Sequence, residues 1–107
     1  MQKIFLPIVA LAALMAMPAS AQKKGDAAKG KEVYEQCGVC HASATDEKKM
    51  GPSMKGLYKK AALKNGKKVS DASVTEAIKK GGNGMPPFEE ILTADEMTNL
   101  LAYLKTL

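Results

Sequence analysis

The sequence predicts a small all-α protein of a single domain. The chain has 107 residues, which leaves room for one compact unit. Apolar residues recur at helical spacing in several segments, and most of these segments begin at a residue that can cap a helix. No stretch alternates apolar and polar residues as a half-buried strand would. We therefore expect three to five helices joined by long loops.

The first 21 residues have the pattern of a cleaved export signal. Lys3 is followed by an uncharged apolar run over residues 4–17, and Ala19-Ser20-Ala21 supplies a small-residue cleavage site. A membrane-anchoring or buried helix is the alternative, but the run is shorter than the roughly 20 apolar residues of a membrane span. We predict a signal peptide at 1–21 and one domain at 22–107.

The helices of the mature part follow in order. Asp26 can cap a first helix that runs through residues 27–37. Residues 53–63 allow one or two short helical turns after a Gly-Pro turn. Residues 81–91 read GGNGMPPFEEI, and three glycines followed by two prolines exclude a regular helix or strand at the centre of this segment.

Two further helices carry capping signals. Ser70 or Ser73 can cap the helix before the glycine-rich loop, and Ser73 with Glu76 matches a capping box. Thr93 with Glu96 matches a second capping box at the start of the last helix.

The charge balance favours a protein partner over nucleic acid. The formal net charge is +5, and all the cations are lysines. Five of these lysines lie within residues 58–68, where they form either a solvated surface or a patch that steers the chain toward an acidic protein. A nucleic-acid partner is not expected, since arginine is absent and aromatic residues are few.

The segment CGVCH contains every cysteine and the only histidine of the chain, at Cys37, Cys40 and His41. A disulfide would close a very small loop and gain little. A thioredoxin-like redox pair would follow a strand in a βαβ unit, and no such unit is visible. Structural zinc requires four ligands, and only three Cys or His side chains are present.

The fourth interpretation, covalent attachment of haem, fits best. C-x-x-C-H is the recognised signature of c-type haem attachment, and export is consistent with it. Cys37 and Cys40 would form two thioethers with the haem, and His41 would be the proximal iron ligand. One haem would also complete a core that has few aromatic residues. The apolar residues expected to pack around it are Val33, Leu57, Leu63, Val74, Ile78, Phe88, Ile91, Leu92, Met97, Leu100 and Leu101.

A methionine is the expected sixth ligand, because the chain has no second histidine. Met85 follows a flexible GGNG segment and precedes Pro-Pro, so a loop would carry it to the iron; plain packing is the alternative. Met97 lies within a periodic helix and is expected in the core. Met50 and Met54 flank the Gly-Pro turn, and Met54 would either line the pocket or fill space.

The motifs CGVCH, GPSMKGLY, GMPPF and LLAYL follow one another in this order. With them the mature chain resembles the small bacterial monohaem class I cytochromes c along nearly its whole length. The resemblance implies the class I fold, with helices wrapped around one covalently bound haem. It also implies that Gly30 and Tyr34 of the first helix pack against Leu100 and Tyr103 of the last.

The resemblance further implies that the carbonyl of Pro52 accepts a hydrogen bond from the His41 imidazole. Such a bond fixes the tautomer of the ligand and strengthens its donation to iron. The chain departs from the family in two respects. It has no tryptophan or arginine for the haem propionates, and Phe88 stands where some relatives have an asparagine that reaches the methionine sulfur.

These observations predict an exported, periplasmic one-electron carrier that is not an enzyme. The mature chain would be a monomer without a membrane segment, and it would dock briefly on acidic patches of a reductase or oxidase. A haem sensor or small haem catalyst is the second hypothesis, and it requires a sixth position that is open or weakly held. A structural or assembly subunit of a larger complex is the third.

Overall fold

The computed structural model describes residues 24–107 and confirms the all-α prediction. The predicted signal peptide lies outside these residues. No strand is present in the described part, where the only β-type pairs are two isolated bridges. None of its helices is long and apolar enough to cross a membrane. Its elements are α1 (Ala27–Tyr34), a 3-10 turn (Leu57–Lys59), α2 (Asp71–Lys80) and α3 (Ala94–Leu104).

The closest packing of the fold joins α1 to α3. Gly30 is buried at the crossing, where an added Cβ would overlap the backbone oxygen of Asn99 and lie 2.8 Å from the Cβ of Tyr103. The rings of Tyr34 and Tyr103 pack with their centroids 5.2 Å apart. The expected contact of Gly30 and Tyr34 with the last helix is therefore confirmed, although the backbone of Asn99 is the closest partner of Gly30.

The start of α1 agrees with the prediction, but its end does not. The Asp26 carboxylate accepts hydrogen bonds from the backbone N–H groups of Ala28 and Lys29 at 2.9 and 3.2 Å. The helix ends at Tyr34 and not at Cys37, since the chain continues as a series of turns. Residues that follow the helix are thus free to bend away from its axis.

One of the two predicted capping boxes is confirmed. Thr93 and Glu96 exchange side-chain and backbone hydrogen bonds at the start of α3. The Ser73–Glu76 box is wrong: Ser70 is the N-cap of α2, and Ser73 occupies the third helical position. The Ser73 hydroxyl donates to the Lys68 carbonyl at 2.6 Å and accepts the N–H of Ser70 at 2.9 Å, so it closes the capping box of Ser70.

The core contains most of the residues expected there. Nine side chains form one buried cluster: Tyr34, Leu57, Val74, Ile78, Phe88, Leu92, Met97, Leu100 and Leu104. Val33, Leu63 and Leu101 pack against it and are partly buried. Ile91 is the exception, because its side chain is 54 % exposed. Ile91 and Leu92 both bond to the Phe88 carbonyl in a turn, and this turn directs Leu92 inward instead.

Candidate functional site

The segment Cys37–His41 forms a single helical turn immediately after α1. The N–H of His41 donates to the Cys37 carbonyl at 3.0 Å, and the N–H of Cys37 donates to the Tyr34 carbonyl at 2.7 Å. Both thiols are free and partly exposed. Burial raises the pKa of the Cys37 thiol. The turn therefore holds two unpaired thiols and one imidazole within a few residues, with no disulfide between them.

Tyr34 fixes the end of this turn from the core side. Its hydroxyl donates to the backbone carbonyl of His41 at 2.9 Å. Burial is the main reason why the pKa of Tyr34 is raised to about 12, so the hydroxyl remains a donor at neutral pH. The family resemblance predicts Tyr34 at the helix crossing, but nothing in the CGVCH motif indicates its bond to His41.

The His41 ring is oriented by the segment that follows it. Nδ1 lies 2.7 Å from the Pro52 carbonyl oxygen, which can only accept a hydrogen bond. The proton of the neutral ring is therefore on Nδ1, and Nε2 keeps its lone pair. Gly51 lies so close to the ring that an added Cβ would overlap it. The imidazole is thus held in the tautomer that binds a metal through Nε2.

Ser53 ties together the two backbone segments that carry His41 and Pro52. It is 7 % exposed, and its hydroxyl lies 2.5 Å from the Thr45 carbonyl and 3.3 Å from the Ala42 carbonyl. The hydroxyl also accepts the N–H of Lys55 at 3.1 Å. This serine was not singled out from the sequence, where a serine between a proline and a methionine has no distinguishing pattern.

Met85 lies on the predicted loop between α2 and α3. Backbone bonds of 2.9 and 3.0 Å between Gly82 and Met85 close a tight turn. All four residues 81–84 have positive φ, which three glycines and one asparagine permit. The Met85 side chain is partly buried and packs against the core cluster.

The other three methionines of the described residues occupy different environments. Met97 is 6 % exposed within the core, as expected from its helical spacing. Met54 is partly buried against the core cluster. Met50 is 84 % exposed, and its Sδ lies 4.0 Å from the Sγ of Cys40. Among them, Met85 alone is carried by a glycine-rich loop.

A polar cluster holds the 3-10 turn against α2 and the end of α3. The Tyr58 hydroxyl donates to Asp71 at 2.8 Å, and Lys105 donates to the other carboxylate oxygen at 3.1 Å. The Lys105 ammonium also lies 5.4 Å from the centre of the Tyr58 ring. The hydrogen bond from Tyr58 is the main cause of the lowered pKa of Asp71, while burial raises the pKa of Tyr58.

Comparison with known proteins agrees with this site. The family described as cytochrome c oxidase, cbb3-type, subunit III matches residues 25–104. The chain belongs to the cytochrome c family. It is 35 % identical to cytochrome c6 of Rippkaea orientalis, over 94 % of this chain and 86 % of that protein. It is 39 % identical to cytochrome c2 of Blastochloris viridis, over 73 % of this chain and 60 % of that protein.

The fold of this cytochrome also matches a solved relative. The structure of cytochrome c6 from the diatom Phaeodactylum tricornutum superposes with a TM-score of 0.59 at 25 % identity, over 77 % of this chain and 93 % of that one. The small class I cytochrome fold is therefore confirmed. The protein is a haem-containing electron carrier and not an enzyme.

The donor set of this cytochrome fits a c-type haem. Two free thiols three positions apart and an imidazole with an available Nε2 are the groups that such a cofactor requires. Within residues 24–107 no cluster of three or more Cys, His, Asp or Glu side chains could hold a separate metal ion.

Proposed function

We propose that this cytochrome is an exported one-electron carrier with one covalently attached haem. Cys37 and Cys40 would hold the haem through thioethers, and His41 and Met85 would be its axial ligands. When bound, the haem supplies an iron that gains and loses one electron. We further propose that the mature chain starts at Gln22 and acts as a monomer in the periplasm.

The observation that carries the proposal is the hydrogen bond of 2.7 Å between His41 Nδ1 and the Pro52 carbonyl. It leaves Nε2 as the ligand atom and increases the electron density on the ring. Tyr34 and Gly51 restrict the same residue from two other directions. A ligand held in this way need not rearrange when the charge on the iron changes, which favours rapid electron transfer.

The proposed ligand role of Met85 has support from its loop. The Gly82–Met85 turn presents a partly buried thioether from backbone that belongs to neither helix. A thioether stabilises the reduced iron relative to nitrogen or oxygen ligands, and it raises the reduction potential of His/Met cytochromes.

The proposed docking surface lies beside the second cysteine. We define the Val39–Met50 patch as Val39, Met50 and the adjacent Lys48 and Lys49. Val39 is 75 % exposed, and the N–H of Gly51 donates to the Cys40 carbonyl at 2.8 Å, which keeps the two segments together. The Lys49 ammonium donates to the Gly38 carbonyl at 3.3 Å. An apolar centre with adjacent positive charge suits brief contact with an acidic partner.

The first test is the far-red optical spectrum of the oxidised, haem-loaded protein, recorded before and after reduction under carbon monoxide. We expect the weak sulfur-to-iron band and no change on exposure to the gas. A missing band together with ready binding of carbon monoxide would indicate an open iron. The carrier proposal would then fail, and sensing or catalysis would take its place.

Matched variants identify the ligand. Met85→Ala should abolish the band and open the iron to carbon monoxide, whereas Met54→Ala, at another partly buried methionine, should do neither. A band that persists in Met85→Ala would remove Met85 from the site. Electron-transfer rates to an acidic redox protein should fall as salt rises, because screening weakens the attraction. A flat salt profile would contradict steering by the lysines.

A further inference from the structure

Met50 stands apart from the other three described methionines in its exposure. Its side chain is 84 % exposed, whereas Met54 and Met85 pack against the core cluster and Met97 is buried. Exposure alone would need no explanation. Its Sδ, however, lies 4.0 Å from the Sγ of Cys40, and Cys40 directly follows the exposed Val39 in the chain. An oxidisable thioether therefore lies within the Val39–Met50 patch itself.

We propose that Met50 is a site of reversible oxidation by hydrogen peroxide, and that its oxidation weakens docking without altering the iron site. The inference rests on the proposed function, since it assigns a regulatory residue to the docking surface described above.

The chemistry at Met50 needs only the peroxide. A lone pair on Sδ attacks one peroxide oxygen, so that a sulfur–oxygen bond forms as the oxygen–oxygen bond breaks. The second oxygen leaves as hydroxide and takes the proton of the oxygen now bound to sulfur, so that water and the sulfoxide oxygen are formed. The sulfur loses two electrons, which the peroxide gains, and the product is methionine sulfoxide. Methionine sulfoxide reductases reverse this step.

Burial makes the reaction selective. Peroxide in water reaches the Sδ of Met50 directly, while Met97 is enclosed at 6 % exposure. Met54 and Met85 are partly covered by the core cluster. Met85 would in addition be protected by iron if it is a ligand. The expected order of oxidation is therefore Met50 first and Met97 last.

A sulfoxide at Met50 changes the short-range contact of the patch and leaves its charge alone. The polar oxygen binds water, and this water must be removed when a partner covers the patch. Lys48 and Lys49 keep their charge, so long-range attraction to an acidic surface continues. Oxidation would accordingly weaken the bound state more than it slows the encounter.

The first experiment maps oxidation by mass. The haem-loaded protein is treated with limiting hydrogen peroxide, and its peptides are analysed for added oxygen over time. We expect Met50 to gain oxygen well before Met54 or Met85. Oxidation of either partly buried methionine at the same rate as Met50 would overturn the assignment.

The second experiment measures docking on a defined surface. The probe is a gold electrode coated with a mixed monolayer of carboxylate- and methyl-terminated alkanethiols, which is acidic with apolar contacts. Wild type oxidised at Met50 should adsorb about fivefold more weakly than untreated protein, the scale expected when one apolar contact becomes polar. Its reduction potential should stay unchanged, and methionine sulfoxide reductase should restore adsorption.

The control variant is Met50→Leu, which keeps an apolar side chain of similar volume and cannot form a sulfoxide. Its adsorption, measured before and after peroxide, should not change. An equal loss of adsorption in this variant, or unchanged adsorption of the oxidised wild type, would overturn the proposal. The proposed function fails separately, if untreated protein lacks the sulfur-to-iron band.

Discussion

Replacement of Gly30 by alanine tests the helix crossing that supports the site. Alanine gains about 1 kcal/mol of helix propensity over glycine, so a local argument predicts stabilisation. The new Cβ would overlap the Asn99 backbone oxygen, which cannot rotate away as a side chain could. Overpacking costs about 1–3 kcal/mol, and separation of the helices would weaken an aromatic pair worth about 0.5–1.5 kcal/mol. We expect a net loss of about 2 kcal/mol.

The assay is urea or thermal unfolding of the haem-loaded protein, followed by far-ultraviolet circular dichroism. A loss of about 2 kcal/mol corresponds to a fall in Tm of about 8–16 °C for a domain of this size. Gly38→Ala is the matched control, because the nearest atom to its added Cβ is 3.5 Å away, an ordinary contact. A Gly30→Ala variant as stable as wild type would refute the reasoning about the crossing.

Two further predictions concern polar contacts. Ser53→Ala should loosen the segments around His41, make the imidazole a poorer donor and raise the reduction potential by about 20–40 mV, which is below 1 kcal/mol for one electron. Ser73→Ala, at the other buried serine of the described residues, should destabilise the protein about as much as Ser53→Ala but leave the reduction potential unchanged. Equal potentials in the two variants would contradict a positioning role for Ser53. The pKa of Asp71 is lowered, chiefly by its hydrogen bond from Tyr58. Its contribution to the free energy of unfolding is therefore fully present above its unfolded pKa and is lost as the pH falls through its folded pKa. Asp71→Asn should therefore lower the free energy of unfolding by about 0.5–1 kcal/mol at neutral pH and by clearly less near about pH 3, whereas an equal loss at both would argue against this cluster.

The helix starts show which caps a sequence pattern predicts correctly and which it does not. Asp26 and the Thr93–Glu96 pair act within one turn of chain, and the structure has both as predicted. The Ser73–Glu76 pair has the same spacing, but Ser73 bonds instead to the Lys68 carbonyl. The Lys67 and Lys80 ammonium groups pair with Glu76 at 3.2 and 2.7 Å, so its carboxylate is already engaged. Hydrogen bonds and ion pairs within residues 67–80 therefore favour Ser70 over Ser73 as the cap, which the spacing of the Ser73–Glu76 pair does not show.

The core likewise contains residues whose burial helical spacing predicts and residues whose burial it does not. Helical spacing correctly placed Met97 and Leu100 inside, since each helix face repeats regularly along the chain. Ile91 lies in a turn, where no period applies, and its side chain is exposed. Apolar character alone could not separate Ile91 from its neighbour Leu92, because only the turn at Phe88 determines which side chain faces inward.

The candidate attachment site could be recognised from the sequence alone, because Cys37, Cys40 and His41 lie within five residues and their spacing along one turn is a local property. The orientation of the His41 imidazole, by contrast, is not a local property. It depends on Pro52, eleven positions away, and on the Ser53 hydroxyl that joins the two segments. The resemblance to the family indicated the first of these contacts, and only the folded chain revealed the second. Contacts between distant segments arise from packing of the whole domain, so spacing along the chain carries no record of them.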